Sequence, residues 1–409
     1  MAEGGVSGLV DGATSASLHH EHQGRDGAAP GTQYTTQLAF AAPTYGAVNT
    51  IYLPPLPMVM KDAYIQLDVA AAGGPTSAAL VQCQTWAQNI NLLYRRQTVY
   101  SMSEPECVVD SYFNSKNNMD LVRRLDLQND VALATRVTRG AGTSSYFISL
   151  RRIVDAIMAK AGPINAYAAQ SWSIDVNLFA QNRLIVGTTT TAGTGAAITA
   201  MKLVMIGHKE DPANTTRVAK ALEDNGVAIK FEQSQYRRFT YGASVASAIV
   251  SLPELQGEMT AFAILQRVVA GYDSVVPNAI NRLQWQLFDS PTDTIAVGTQ
   301  ADPQTLFGQA LPQRVLRLAG SSDSFAGSPL FIDADGAQRN TSIIFYSLED
   351  AATLGQREGV FSGVLRIQND LQFSFAFNTN TTANYLDIVV YLRRQIVLSE
   401  GGFAVINEE

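Results

Sequence analysis

Histidine is scarce in this chain, with four among 409 residues. His19, His20 and His22 fall in one short stretch beside Glu21, where clustered imidazoles could hold a metal ion or respond to pH. The flanking sequence is rich in Gly, Ala and Ser, so a polar arm with no ligand role is the preferred reading of these three. His208 ends an apolar run and reads as a capping or hydrogen-bonded histidine. It is also the only histidine placed to serve a Ser-His-Asp or Cys-His site, which argues against hydrolase chemistry. Glu254, Glu258, Asp289 and Asp293 could supply the acid and base of glycoside cleavage, which needs two carboxyl groups facing each other across a cleft. They fall on predicted turns with no aromatic-lined strand beside them, and solvated turn positions are the expectation.

Other motifs are weaker. DADGAQRN (333–340) has the oxygen-rich look of a calcium loop but lacks the full ligand series and the closing Glu, so it reads as a surface turn. GAGTSS (140–145) and TAGTGA (191–196) carry phosphate-loop glycines without the Lys-Ser/Thr that should follow, and neither enters a helix. The two cysteines, Cys83 and Cys107, form neither a metal spacing nor a disulfide framework and are expected as reduced thiols. Arginine doublets at 95–96, 123–124, 151–152, 237–238 and 393–394, with Arg314 and Arg317, either pair with acids between subunits or sit on exposed strand faces. No catalytic residue and no cofactor is expected.

The elements that must carry these residues read as β structure. Hydrophobic residues make up 46% and charged residues 16%, enough apolar material for large cores and little surface charge. Net charge is −7 with no basic tail, so direct contact with nucleic acid is not expected. No secretory leader and no apolar run of membrane-spanning length is evident, which places synthesis in the cytoplasm. Residues 1–33 are a Gly/Ala/Ser-rich arm that alone cannot offset its ordering entropy. Short alternating runs follow: TQLAF (36–40), AYIQLDVAA (63–71), NINLLYRRQTVY (89–100), SYFISL (145–150), SWSIDVNLF (171–179) and TAMKLVMIGH (199–208). A helical stretch interrupts them over 104–124, broken near Asn114, Asn117 and Asn118. A second short helix, capped by Asp211 or Asn214 and ended by Asn225-Gly226, marks the mid-chain boundary. Runs at 227–241, 246–253, 259–269, 280–288, 341–348, 363–377 and 385–399 then repeat the β texture, with a helix near 303–318. The organisation is an arm (1–33), a first β domain (34–210), a linker helix (211–226) and a second β domain (227–409).

The order of elements resembles the double jelly-roll major capsid proteins of the tectivirus–adenovirus lineage. FSGVLRIQNDLQFSFAF (361–377) is similar to the family's strand, Asn/Asp turn and alternating strand, and NTNTTANYLDIVVYLRRQIVLSEGGFAVI (378–406) to its closing strand and Gly-containing tail. FEQSQYRRFTYG (231–242) with ASAIVSLPELQGEMTAFAILQRV (246–268) resembles the opening of a second roll. SSYFISLRRIVDAIMAKAGPINAYAAQSWSIDVNL (144–178) resembles a strand, a compact Pro-containing loop and a returning strand. The resemblance implies an all-β fold of two tandem eight-stranded jelly rolls with short helical insertions. It further implies a trimeric, pseudo-hexagonal capsomer of an icosahedral virion over an internal membrane, with the arm on the inner side. Partners would be further copies of itself, neighbouring capsomers, minor capsid or penton proteins, and the membrane through the arm. A carbohydrate-binding or carbohydrate-cleaving double β-sandwich is the alternative. A spike or fibre protein is less favoured, because no fibrous repeat is visible.

Overall fold

The computed structural model describes residues 18–19, 32–70, 79–80, 85–113, 144–181, 185–186, 197–268, 280–287, 290–296, 343–347, 365–368, 371–377 and 384–406. By internal contacts the chain forms two compact units. The first comprises Met1–Glu104, Val137–Phe231 and Gln395–Ile406; the second comprises Pro105–Arg136, Glu232–Arg394 and Asn407–Glu409.

The strands of the first unit are β1 (Leu18–His19), β2 (Thr32–Ala39), β3 (Val48–Tyr52), β4 (Met58–Ala70), β5 (Ala79–Leu80), β6 (Ala87–Tyr94), β7 (Gln97–Ser103), β8 (Ser144–Ser149), β9 (Trp172–Leu178), β10 (Ile185–Val186) and β11 (Ala197–Lys209). Eight of them build two antiparallel sheets, ordered β2-β11-β4-β8 and β3-β9-β6-β7. β1 extends the first sheet beside β2, and β5 pairs with β10 separately. β12 (Val227–Tyr241) begins in the first unit and ends in the second. β13 (Ser247–Leu252), β14 (Gln256–Val268), β15 (Ile280–Leu287), β16 (Ser290–Ala296), β17 (Ile343–Ser347), β18 (Leu365–Gln368) and β19 (Leu371–Phe377) follow. β20 (Asn384–Ser399) passes back from the second unit to the first, where β21 (Gly402–Ile406) pairs with its end.

The second set of eight is ordered β12-β20-β14-β17 and β13-β19-β15-β16. Numbered one to eight along the chain, both sets follow the same plan: 1-8-3-6 in one sheet and 2-7-4-5 in the other. Two four-stranded sheets in this order form a jelly roll, so the fold is two jelly rolls in tandem. In both, the longest connection lies between the fifth and sixth strands, over 104–143 and 297–342.

Period-two apolar spacing places the cores. In the first roll Ile65, Leu67, Ile90, Leu92, Ile174, Val176, Leu203 and Met205 are buried, with Trp86 against Tyr146 at a centroid distance of 4.6 Å. The inward phase of β4 changes from Met58 and Met60 to Ala63, Ile65 and Leu67. A bulge absorbs the change: Ile206 pairs with Asp62 and Gly207 with Met60, leaving Lys61 as the extra, exposed residue. Gly207 must be glycine there. A Cβ would overlap the Val59 carbonyl oxygen and lie 2.6 Å from Met58 Cε. In the second roll Phe373, Phe375 and Phe377 occupy alternate positions of β19 with near-parallel rings. Tyr241 stacks on Phe377 at 4.5 Å, and Phe262 meets Phe373 edge-on at 5.0 Å.

Several expectations change against this structure. The run 89–100 is not one strand but a hairpin, with Arg95 and Arg96 as its two loop residues at φ 49° and 67° between paired Tyr94 and Gln97. Positive φ at both positions matches the right-handed strand twist and normally selects Asn-Gly, so the Arg pair hid the turn. Residues 151–161, expected as a loop, are helical with a π-turn over Val154–Met158; Ile153, Val154, Ile157, Met158 and Ala161 form the buried stripe. The expected helix over 104–124 is present as Glu104–Phe113, and its remainder lies outside the described residues, as do the expected helix near 303–318 and DADGAQRN. The mid-chain helix is Pro212–Asp224: Asp211 Oδ1 accepts from the Ala213 N–H at 3.0 Å, Pro212 starts the helix, and Leu222 is buried.

Gly207→Ala is expected to lower unfolding free energy by about 2 kcal/mol, because the bulge backbone must move apart. Arg96→Gly is expected to raise it by about 1 kcal/mol, because glycine adopts the left-handed conformation without the Cβ penalty. Urea titration of each variant beside the parent protein checks both signs.

Candidate functional site

Among the described residues, the chemistry-bearing ones are scattered rather than convergent. His19 lies in β1 opposite Thr32, while His20 and His22 lie outside the described residues. His208 is half-buried near the end of β11, paired in register with Gln33 of β2 and Val59 of β4. Among the described residues no group of three or more His, Cys, Asp or Glu is placed to hold a metal ion. Cys107 is buried in the helix Glu104–Phe113, and Cys83 lies outside the described residues.

Among the described residues, Glu254 and Glu258 have different settings. Glu254 is exposed at a turn and binds Arg237. Glu258 is not on a turn as expected but within β14, in register with Arg366 of β18 and Arg393 of β20. Asp293 also lies in a strand, β16, opposite Trp285, and Asp289 is outside the described residues. GAGTSS reaches the described residues only where Ser144 and Ser145 open β8, and TAGTGA lies outside them.

The arginine doublets diverge in role. Arg95 and Arg96 are exposed on the hairpin loop. Arg151 reaches Asp155 at 3.4 Å, an exposed i,i+4 pair. Arg394 is partly desolvated, which pulls its pKa below the usual guanidinium range, and it donates to the Gln256 carbonyl at 2.8 Å. Arg238 makes a two-point contact with a buried carboxylate. Its Nε and Nη2 donate to Asp387 Oδ1 and Oδ2 at 2.6 and 3.0 Å, and its guanidinium lies 4.9 Å from the Tyr385 ring centroid. Asp387 is fully buried in β20. Sequence reasoning missed this pair, although the signal was present: Asp387 is the one charge in YLDIVVYL, and a buried carboxylate must find a cation. Glu106 was missed too; it is buried and accepts a hydrogen bond from the Ser234 hydroxyl.

Asp62 is perturbed by burial. Asp62 Oδ2 accepts from Tyr64 Oη at 2.6 Å and Oδ1 from the Ala63 N–H at 2.9 Å. Burial raises its pKa above the usual carboxylate range, and those bonds with the Arg151 cation return it only part of the way.

Three of the exposed apolar side chains among the described residues share a place in the two rolls. Val48 and Tyr52 lie on β3 and Ile249 on β13, the second strand of each roll and an edge of its sheet; Ile249 is 72% exposed. Neither strand contains a charged residue. Edge strands that must stay single usually carry charge, proline or a bulge.

No protein-family model matches the chain, and no curated protein matches it by sequence. Solved structures do. A chain from the quasi-atomic model of the PBCV-1 virus capsid superposes with a TM-score of 0.64 at 11% identity, covering 93% of this chain and 98% of that one. The Faustovirus major capsid protein gives 0.56 at 11% identity over 96% and 94%. The mavirus major capsid protein gives 0.51 at 10% identity over 91% and 90%. The tandem jelly-roll fold is therefore shared over nine-tenths or more of each chain.

Asp387→Ala is expected to cost about 3 kcal/mol, because Arg238 is left partly buried without its counterion; Arg238→Met with Asp387→Leu should recover most of that loss. A double-mutant cycle by chemical denaturation measures it. For Asp62 the folded-state pKa lies above the unfolded value, so ionisation penalises the folded state as pH rises through the folded pKa. Asp62→Asn is therefore expected to be more stable than the parent at pH 7, with the difference closing below about pH 4. Thermal melts across that range check the crossover.

Proposed function

We propose that this chain is the major capsid protein of an icosahedral virion, a structural subunit rather than an enzyme. The observation that carries the reading is the match of both rolls, over nine-tenths or more of each chain, to capsid proteins of PBCV-1, Faustovirus and mavirus. The carbohydrate alternative has no support: Glu254 is bound to Arg237, and Glu258 sits among arginines in strand register.

In this reading three subunits form a pseudo-hexagonal capsomer, each contributing two rolls of the same topology. The strand sets run from Thr32 to Lys209 and from Val227 to Ser399 with the helix Pro212–Asp224 between them. That order supports an arm (1–33), a first roll (34–210), a linker helix (211–226) and a second roll (227–409). Neighbouring capsomers and minor capsid or penton proteins are the partners, with an internal membrane met through the arm. The net charge of −7 supports no direct contact with nucleic acid. Synthesis takes place in the host cytoplasm and the final location is the virion capsid. The uncharged edges β3 and β13 are surfaces that assembly would cover. Obligate interfaces of this kind bury upwards of ~2,000 Å².

Sedimentation of the purified protein is expected to show a trimer that persists on dilution. Ile249→Lys and Val48→Lys are expected to shift it toward monomer without lowering the melting temperature. A parent protein that stays monomeric at high concentration overturns the reading.

A further inference from the structure

The first unit contains residues that are made after nearly all of the second. Gln395–Ile406 belongs to it, and Ile396 and Leu398 are fully buried. Within that segment the end of β20 and β21 form an antiparallel hairpin, from Gln395 opposite Ile406 to Ser399 opposite Gly402. Its turn is fastened to the aromatic cluster of the first roll. The Tyr94 hydroxyl donates to the Ser399 carbonyl at 2.8 Å. The Tyr94 ring packs on Trp172 at 4.8 Å and on Tyr167 at 5.7 Å, and those two meet at 5.3 Å.

Two further features shape the seat. Gly226, at φ +80°, admits the strand so closely that a Cβ would lie 2.6 Å from Val397 Cγ1 and 2.8 Å from the Leu398 carbonyl oxygen. The strained loop at Arg95 and Arg96 follows Tyr94 directly, and its Arg95 N–H donates to the Ser171 carbonyl at 2.7 Å. This aims the hairpin end of β6 at the aromatic cluster and at Ser399. Backbone conformations that cost energy persist where surrounding contacts hold them, and here those contacts include the segment 395–406.

We propose that residues 395–406 are a closing strap for the first roll. The first unit reaches its final packing only once the second unit's residues, 232–394, have been made and the strap has returned to Tyr94 and Gly226. The closing order runs opposite to the order of synthesis, so a partial chain cannot present a finished first roll. The argument concerns closure within this chain and stands apart from the capsid reading.

Pulsed hydrogen exchange during refolding of the full-length protein tests it. Amides of β6 and β7 are expected to gain protection together with or after those of β14 and β19; protection of β6 and β7 first overturns the proposal. Leu398→Asp is expected to speed native-state exchange at least tenfold in β6, β7 and 226–231 while β13 and β19 keep parent values. Should Leu398→Asp not fold, Tyr94→Phe and Gly226→Ala are expected to show the same localised increase at smaller amplitude. No increase, or an equal increase in both units, overturns it.

Discussion

Everything in each roll depends on one long-range pairing: the eighth strand must lie between the first and the third. β11 holds β2 and β4 in the first roll, and β20 holds β12 and β14 in the second. Before that strand arrives, the first and third strands each lack a neighbour on a buried side, and their inward apolar residues face solvent. Pairing over such sequence separations requires loop closure to be offset all at once, which makes these folds slow to form and sensitive to register. The bulge at Lys61 and the absence of a side chain at Gly207 show how finely the register of β4 against β11 is set. One residue more or fewer would turn Ile65, Leu67 and Val69 outward.

How much of this could be read from the sequence depended on whether local pattern and tertiary demand agreed. β12 was legible to the residue at 227–241, and the alternation of Phe373, Phe375 and Phe377 announced a strand with one buried face. β3 was missed because VNTIY is short and only two of its residues, Asn49 and Ile51, point inward. β16 was missed because Pro291 and Asp293 read as turn chemistry, although an edge strand tolerates both. The hairpin at Arg95 and Arg96 carries no turn residue at all, so its geometry is imposed by what packs around it. The helical run 151–161 had visible helical spacing, and a family likeness read as a loop obscured it.

The polar residues divide along a similar line. Exposed charges such as Arg151 and Asp155 pair at helical spacing and add little to stability. Arg238 and Asp387 are different, because a carboxylate with no solvent contact must be matched in position as well as in charge. The pair joins β12 to β20, the same two strands whose adjacency closes the second roll, so it discriminates against a slipped pairing.

The shared position of the longest connection, between the fifth and sixth strands of both rolls, leaves each roll one place to absorb changes of length. Every ladder that defines the two sheets is made by strands on either side of it, so its length and wording are decoupled from the arithmetic of the barrel. Residues can therefore be inserted or exchanged there, twice per polypeptide, without resetting the register of either roll.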